Sequence, residues 1–167
     1  MNIEGKAYIA GFLDGDGCVM AQLVSRKGYV NGFHVRVSVV FYQKKSHKEI
    51  LQWLKDKLCY GYIRDRNDGM SEYTIVGLRE VKEVLKLLLP YLRLKKSLAI
   101  LVLKIIQDHP KRMTSEDLIR LGSLVDQTAG YTYSKKRRNT SVVVKAFLDS
   151  MNSSPVETEA KAEIVPI

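Results

Sequence analysis

Residues 9–17 read Ile-Ala-Gly-Phe-Leu-Asp-Gly-Asp-Gly, and no other stretch of the chain restricts its fold as tightly. Ala7, Gly11 and Gly15 recur at i, i+4 and i+8. On a helix they form a stripe with almost no side chain, against which a second backbone can lie very close. Each glycine inside a helix costs ~1 kcal/mol relative to alanine, so two on one stripe call for a packing reason. Ile9, Phe12 and Leu13 fall on the complementary face and should enter a core. Asp14 and Asp16 then close the run at a helix C-terminus, where the macrodipole disfavours a carboxylate by ~0.3 to 1 kcal/mol. A bound cation reverses that sign. If the bare stripe pairs with its own copy about a two-fold axis, two Asp16 carboxylates meet at the foot of the helix pair. Unit charges about 5 Å apart repel by ~3 kcal/mol at an effective dielectric near 20. Carboxylates and the Gly15 carbonyl freed at the helix end are hard oxygen ligands, suited to Mg²⁺, with Ca²⁺ able to occupy the same cage. The blander alternative is a small-residue helix end with solvated aspartates. An EF-hand loop counted from Asp14 fits worse, because its glycine falls on Val19 and its terminal glutamate on Ser25.

With 167 residues and 46% hydrophobic content, the chain fills one domain, over 1–151, with a core of its own. A formal charge of +9 and a pI near 9.5 favour a polyanionic partner, nucleic acid or an anionic membrane surface. No apolar run reaches the length of a membrane span and no signal peptide opens the chain, so no membrane partner is expected. The expected location is inside the cell, or in an organelle such as the chloroplast if the gene is carried there. Cys18 and Cys59 have neither metal-ligand spacing nor disulfide density, and His34, His47 and His109 are scattered, so neither a zinc site nor a disulfide scaffold is expected. The nine-residue run occurs once, which excludes a two-motif chain.

Along the chain, a helix over 3–15, weakly capped by Asn2, gives way at Cys18 to a period of two. Val19, Ala21 and Leu23 alternate with Met20, Gln22 and Val24. After a polar loop with Arg26, a second strand puts Phe33, Val35, Val37, Val39 and Phe41 on one face and His34, Arg36, Ser38, Val40 and Tyr42 on the other. Ser46-His47-Lys48-Glu49 has the form of a capping box for a helix to Leu58. A hairpin follows, turning at Asn67-Asp68-Gly69, whose polar face adds Arg64, Arg66, Glu72 and Thr74. Such a face is often merely solvated, but donors and acceptors on a twisted ribbon suit the DNA major groove. Helices are expected over 79–89, 100–106, 115–127 and 141–151. Between the last two lies a basic run with Lys135, Lys136, Arg137 and Arg138 flanked by hydroxyls, a set of phosphate ligands if it is more than a solvated loop. The tail from Asn152 is read as disordered. Glu157, Glu159 and Glu163 against Lys161 leave it at −2, so the rest holds +11 where the whole chain holds +9.

Ala10, Gly11, Asp14, Asp16 and Gly17 match the signature of the LAGLIDADG homing endonucleases, and Ile9, Phe12, Leu13 and Gly15 are conservative replacements. The chain resembles the homodimeric, single-motif class of that family. The hairpin Arg64-Asp65-Arg66, the stretch Val125-Asp126-Gln127 and the basic run extend the resemblance to about residue 151. It implies an α+β fold, an αββαββα core with a saddle-shaped four-stranded antiparallel sheet and further C-terminal helices. It also implies Mg²⁺-dependent cleavage of both strands of a long, roughly palindromic DNA site, made across the minor groove with short 3′ overhangs, by an intron-encoded protein. Asp16 matches the metal ligand, Gln43 the residue that orients water, and Lys95 the basic residue beside the scissile phosphate. On their own, Gln43 reads as a strand-end polar residue and Lys95 as a solvated cation. His47 departs from the pattern, since relatives more often carry a basic side chain there, and a titrating imidazole would tie activity to pH. The alternative is a maturase or regulator that keeps the fold and binds nucleic acid without cutting. Retention of Asp16, Gln43 and Lys95 together argues against it.

Overall fold

The computed structural model describes residues 1–132 and 137–152. Helix α1 (Ile3–Asp16) starts at Asn2, whose side-chain oxygen accepts the Gly5 N–H at 3.1 Å. It stops abruptly at Gly17, whose N–H bonds to the Leu13 carbonyl as the chain passes straight into strand β1 (Gly17–Ser25). A β-carbon on Gly17 would stand 2.6 Å from the Leu13 side chain and 2.9 Å from its backbone, so this corner accepts only glycine.

Strand β1 pairs antiparallel with β2 (Phe33–Lys44), from Gly17 opposite Phe41 to Ser25 opposite Phe33. The second hairpin, β3 (Tyr62–Asp65) and β4 (Met70–Val76), joins through β4, giving the order β1-β2-β4-β3 with every pairing antiparallel. The period of two is realised in burial. Val19, Ala21 and Leu23 of β1 and Phe33, Val35, Val37, Val39 and Phe41 of β2 are all buried. Over them pack Ile9, Ala10 and Leu13 of α1, Leu51, Leu54 and Leu58 of α2 (Glu49–Leu58), and Val81, Val84, Leu85 and Leu88 of α3 (Leu78–Leu88). Helices α4 (Lys96–Gln107), α5 (Ser115–Gln127) and α6 (Ser141–Asn152) extend the same core with Val102, Ile105, Leu118, Leu121, Val144 and Leu148. Each such side chain withdrawn from water contributes ~1.5 to 3 kcal/mol. Phe12 packs 6.0 Å from Phe41, which stacks at 5.8 Å on Tyr73, and the Tyr73 hydroxyl donates to the Tyr60 carbonyl at 2.7 Å. The helices thus take one face of the sheet and leave the other open.

Three local expectations are corrected. The Ser46–Glu49 capping box does not form. Lys45–His47 make a 3-10 turn, and Lys48 occupies the N-cap of α2 in helical conformation with no side-chain cap. The Lys48 ammonium instead meets the Asp65 carboxylate at 2.8 Å, so the entry to α2 is anchored on β3. The capping box that does form is Thr114 with Asp117, at the start of α5. Helix α4 begins at Lys96 and not near Ile100, because Leu98 and Ala99 already face the core. Asn152 belongs to α6, and the remainder of the expected tail, 153–167, lies outside the described residues.

Candidate active site and nucleic-acid interface

The last turn of α1 holds two carboxylates with different surroundings. Asp14 is occupied: its oxygens accept the backbone N–H groups of Arg93, Leu94 and Lys95 at 2.7, 3.1 and 2.8 Å. Those amides lead into α4, so Asp14 sits at the favourable end of that helix's dipole as well as the unfavourable end of its own. The charge of Asp14 is therefore met within the protomer by backbone amides. Asp16 is exposed, and among the described residues no lysine or arginine pairs with it. The Leu13 and Asp14 carbonyls are taken by the Gly17 N–H and the Lys95 ammonium, the latter at 2.5 Å. The Gly15 carbonyl comes next along the helix, beside Asp16.

Lys95 is the N-cap of α4 and half-buried, and through the Asp14 contacts its backbone and its ammonium are both tied to the motif. Gln43 reaches the same end of α1 by register: Phe41 faces Gly17 across the β1–β2 ladder, and Gln43 lies two residues further on. Its side-chain oxygen accepts the Lys44 N–H at 2.8 Å. The three residues expected at a cleavage centre thus gather around one helix end. His47 is exposed on the neighbouring 3-10 turn. Among the described residues no cluster of three or more His, Cys, Asp or Glu could hold a metal ion.

The bare stripe is exposed at Ala7, Gly11 and Gly15, and a β-carbon added at either glycine would meet nothing within 4 Å. Among the described residues, nothing explains why those positions are glycine.

On the open face of the sheet lies a trough of about 320 Å³. Met20, Gln22 and Arg36 stand on one side of it and Tyr62 and Arg64 on the other. Its floor is covered, although Ser38, Val40, Glu72 and Thr74 are among the expected DNA contacts. Ser38, Val40 and Thr74, on the two central strands, are 2, 3 and 4% exposed because flanking long side chains overhang them. Glu72 is buried too, bonded to Arg64 at 2.8 Å and approached by Arg66 at 3.8 Å, while Arg66 also pairs with Asp68 at 2.7 Å. Of the polar side chains around the trough, Gln22, Arg64 and Arg66 are exposed and Arg36 is half-buried. At the far end of the β1–β2 hairpin, near Val24, the Arg26 guanidinium lies 5.7 Å over the Tyr29 ring, which packs 4.6 Å from His34. Burial holds His34 below its usual pKa, against its interaction with the Val24 backbone carbonyl, which favours the protonated ring, and the Arg36, Arg26 and His109 charges add to the fall. His34 Nδ1 and Arg36 Nε are buried with no hydrogen-bond partner among the described residues, which is costly for groups with nothing to bind.

Sequence reasoning placed Tyr42 on the open face without a role and missed Tyr29 and Tyr62. The strand period points to Tyr42, and the register opposite Thr74 points to Tyr62, but no pattern marks Tyr29 in its loop. Arg137 requires a correction: its guanidinium donates to the Val125 carbonyl and the Thr128 hydroxyl, both at 2.8 Å, closing the end of α5. Arg138 is exposed, and Lys135 and Lys136 lie outside the described residues.

A family model described as LAGLIDADG endonuclease matches residues 9–107. The DNA endonuclease I-CvuI of Chlorella vulgaris is 42% identical over 131 residues, covering 78% of this chain and 81% of that one. The DNA endonuclease I-CreI of Chlamydomonas reinhardtii is 36% identical over 152 residues, covering 90% and 93%. The crystal structure of I-CvuI in complex with its target superposes with a TM-score of 0.86 at 38% identity, over 89% of this chain and 95% of that one. Motif, fold and relatives agree that the chain belongs to the LAGLIDADG endonuclease family, with one copy of the motif.

Proposed function

We propose that this chain, a site-specific DNA endonuclease of the homing type, works as a Mg²⁺-dependent homodimer on a long, roughly palindromic duplex. The observation that carries the reading is the exposed, side-chain-free stripe of α1 running down to an unpaired Asp16. Pairing two such stripes brings two half-sites together, and the symmetry of the protein then matches a symmetric target. An unpaired carboxylate beside helix-end carbonyls is an oxygen donor set of the kind a hard divalent cation takes. The related I-CvuI has been crystallised on DNA in the presence of Ca and of Mg.

Asp16 and the Gly15 carbonyl would hold the ion, which supplies Lewis acidity toward the phosphoryl oxygens and the attacking water. Gln43 orients that water by its side-chain amide. Lys95, held on the Asp14 carbonyl, places its positive charge where the phosphate gains negative charge. Arg64 and Arg66, partly pre-positioned by Glu72, are the bidentate readers of guanine on the projecting side of the trough. Expression is expected from an intron, in whichever compartment carries it.

Plasmid cleavage by mixed dimers of tagged chains tests the reading. A dimer of wild type with Asp16→Asn should cut neither strand well, because the two carboxylates would together hold the metal. A dimer of wild type with Lys95→Met should nick one strand. Both homodimeric variants should still bind DNA in Ca²⁺. Efficient nicking by the Asp16 mixed dimer would mean independent metal sites, and tight DNA binding by wild type with no cutting in Mg²⁺ would favour the maturase alternative.

A further inference from the structure

On the α2 side of the bare stripe runs a shallow groove of about 410 Å³ lined by Asn2, Glu4, Gly5, Tyr8, Ile50 and Trp53. Tyr8 is 53% exposed and stands edge-on to Trp53, with ring centroids 5.5 Å apart. Ile3, in the first turn of α1, is 66% exposed. A stripe of Ala7, Gly11 and Gly15 removes little apolar area from water by itself, whereas Ile3 and Tyr8 beside it expose large apolar surfaces, and Trp53, packed against the core on one side, stays partly open on the groove.

Helical geometry says how these surfaces meet. At roughly 100° per residue, Ile3 and Ala7 lie on one flank of the Gly11–Gly15 line and Tyr8 on the other. A two-fold axis along the helix pair sets each flank of one helix against the opposite flank of its copy, so that residue i meets j and j meets i. Ile3 of one protomer is thereby carried toward the Tyr8 flank of the other, at the level of Asn2, Glu4 and Gly5, where the groove opens. On the basis of the homodimer reading above, we propose that the groove of Tyr8, Ile50 and Trp53 is the socket for the partner's Ile3. The dimer then has two apolar clasps at its upper end, far from the two Asp16 carboxylates at its foot.

Trp53 is the single tryptophan of the chain and reports on its own socket. The full chain is diluted while sedimentation follows its mass and fluorescence follows Trp53. Wild-type emission should shift to the red as the dimer dissociates. Ile3→Glu, at a position exposed in the folded protomer, should keep its circular dichroism and weaken dimerisation by about tenfold or more. Trp53→Lys should weaken it likewise. Mixed in equal amounts, the two variants should pair with each other in preference to themselves, since one clasp then joins opposite charges and the other is wild type. If Trp53→Lys does not fold, Ile3→Glu and the wild-type emission decide alone. A wild-type dimer whose Trp53 emission is unmoved by dissociation, with Ile3→Glu dimerising as wild type does, overturns the socket and leaves the homodimer standing. So does the absence of preferential pairing between two folded variants. A wild-type chain that stays monomeric at every concentration, free and on DNA, overturns both.

Discussion

Asp14 does the work of a structural clasp although it belongs to the same motif as Asp16. Three backbone amides converge on its carboxylate, and hydrogen bonds to a charged group contribute ~1.5 to 3 kcal/mol each in isolation, less when they share one acceptor. Asp14→Ala should lower stability by ~2 to 4 kcal/mol in urea unfolding and, by releasing the turn that carries Lys95, depress cleavage even at temperatures where the variant is fully folded. Asp14→Asn should recover part of the stability and less of the activity, because an amide accepts on one atom only. By contrast, Asp16→Asn should leave the unfolding midpoint within ~0.5 kcal/mol of wild type, as an exposed carboxylate with no partner among the described residues has little to lose.

Each element shows where local pattern suffices. At the entry to α5, the Thr114 hydroxyl and backbone amide hold Asp117, with Arg120 beside it, and these bonds keep the carboxyl below its ordinary pKa. A depressed folded-state pKa contributes stability that is present above the unfolded value near 4 and is lost as pH falls through the folded value. Thr114→Ala should therefore flatten the fall in stability below about pH 4, as well as costing ~1 kcal/mol at neutral pH, in denaturant titrations at successive pH. That cap is built from neighbouring residues, and α1 and the four strands were legible in the sequence because a period, like a cap, is a property of neighbours. The false capping box at Ser46–Glu49 has the same signature, and only the pull of Asp65 from another element separates the two. The end of α5 was illegible for the same reason. Arg137 looked like one of four equivalent cations until the Val125 carbonyl it closes was in place. Arg137→Ala should lower the unfolding midpoint by ~1 to 2 kcal/mol with little change in the salt dependence of DNA binding. Arg138→Ala should do the reverse, reducing the slope of log K against log salt by up to ~0.9 with stability unchanged.

For the whole molecule, the bare stripe separates two kinds of stability. Leucine is a better helix former than glycine by ~1 kcal/mol, and a side chain at Gly11 meets open space within the protomer. Gly11→Leu should leave the isolated protomer as stable as wild type or slightly more so in unfolding at low concentration, while sedimentation shows the dimer lost and plasmid assays show no double-strand cutting. An intact Gly11→Leu dimer would remove the basis for the helix seam. The site itself was only half legible at this scale. The signature supplied Asp16 and the family resemblance Gln43 and Lys95, but which trough residues lie under overhanging neighbours follows from cross-strand partners, and no run of letters contains that. The sheet's alternation has a hereditary side. Along β2, odd-numbered positions from Phe33 to Phe41 hold the helices while Arg36, Ser38 and Val40 between them line the trough, so under the proposed function fold and target are written in interleaved letters of one strand. A lineage moving to a new insertion site can exchange Arg36, or Gln22 and Arg64 on the strands that flank the central pair, without touching a core residue. Ser38, Val40 and Thr74 have no such freedom, and drift in target preference should be recorded at the edges of the trough while its floor stays fixed.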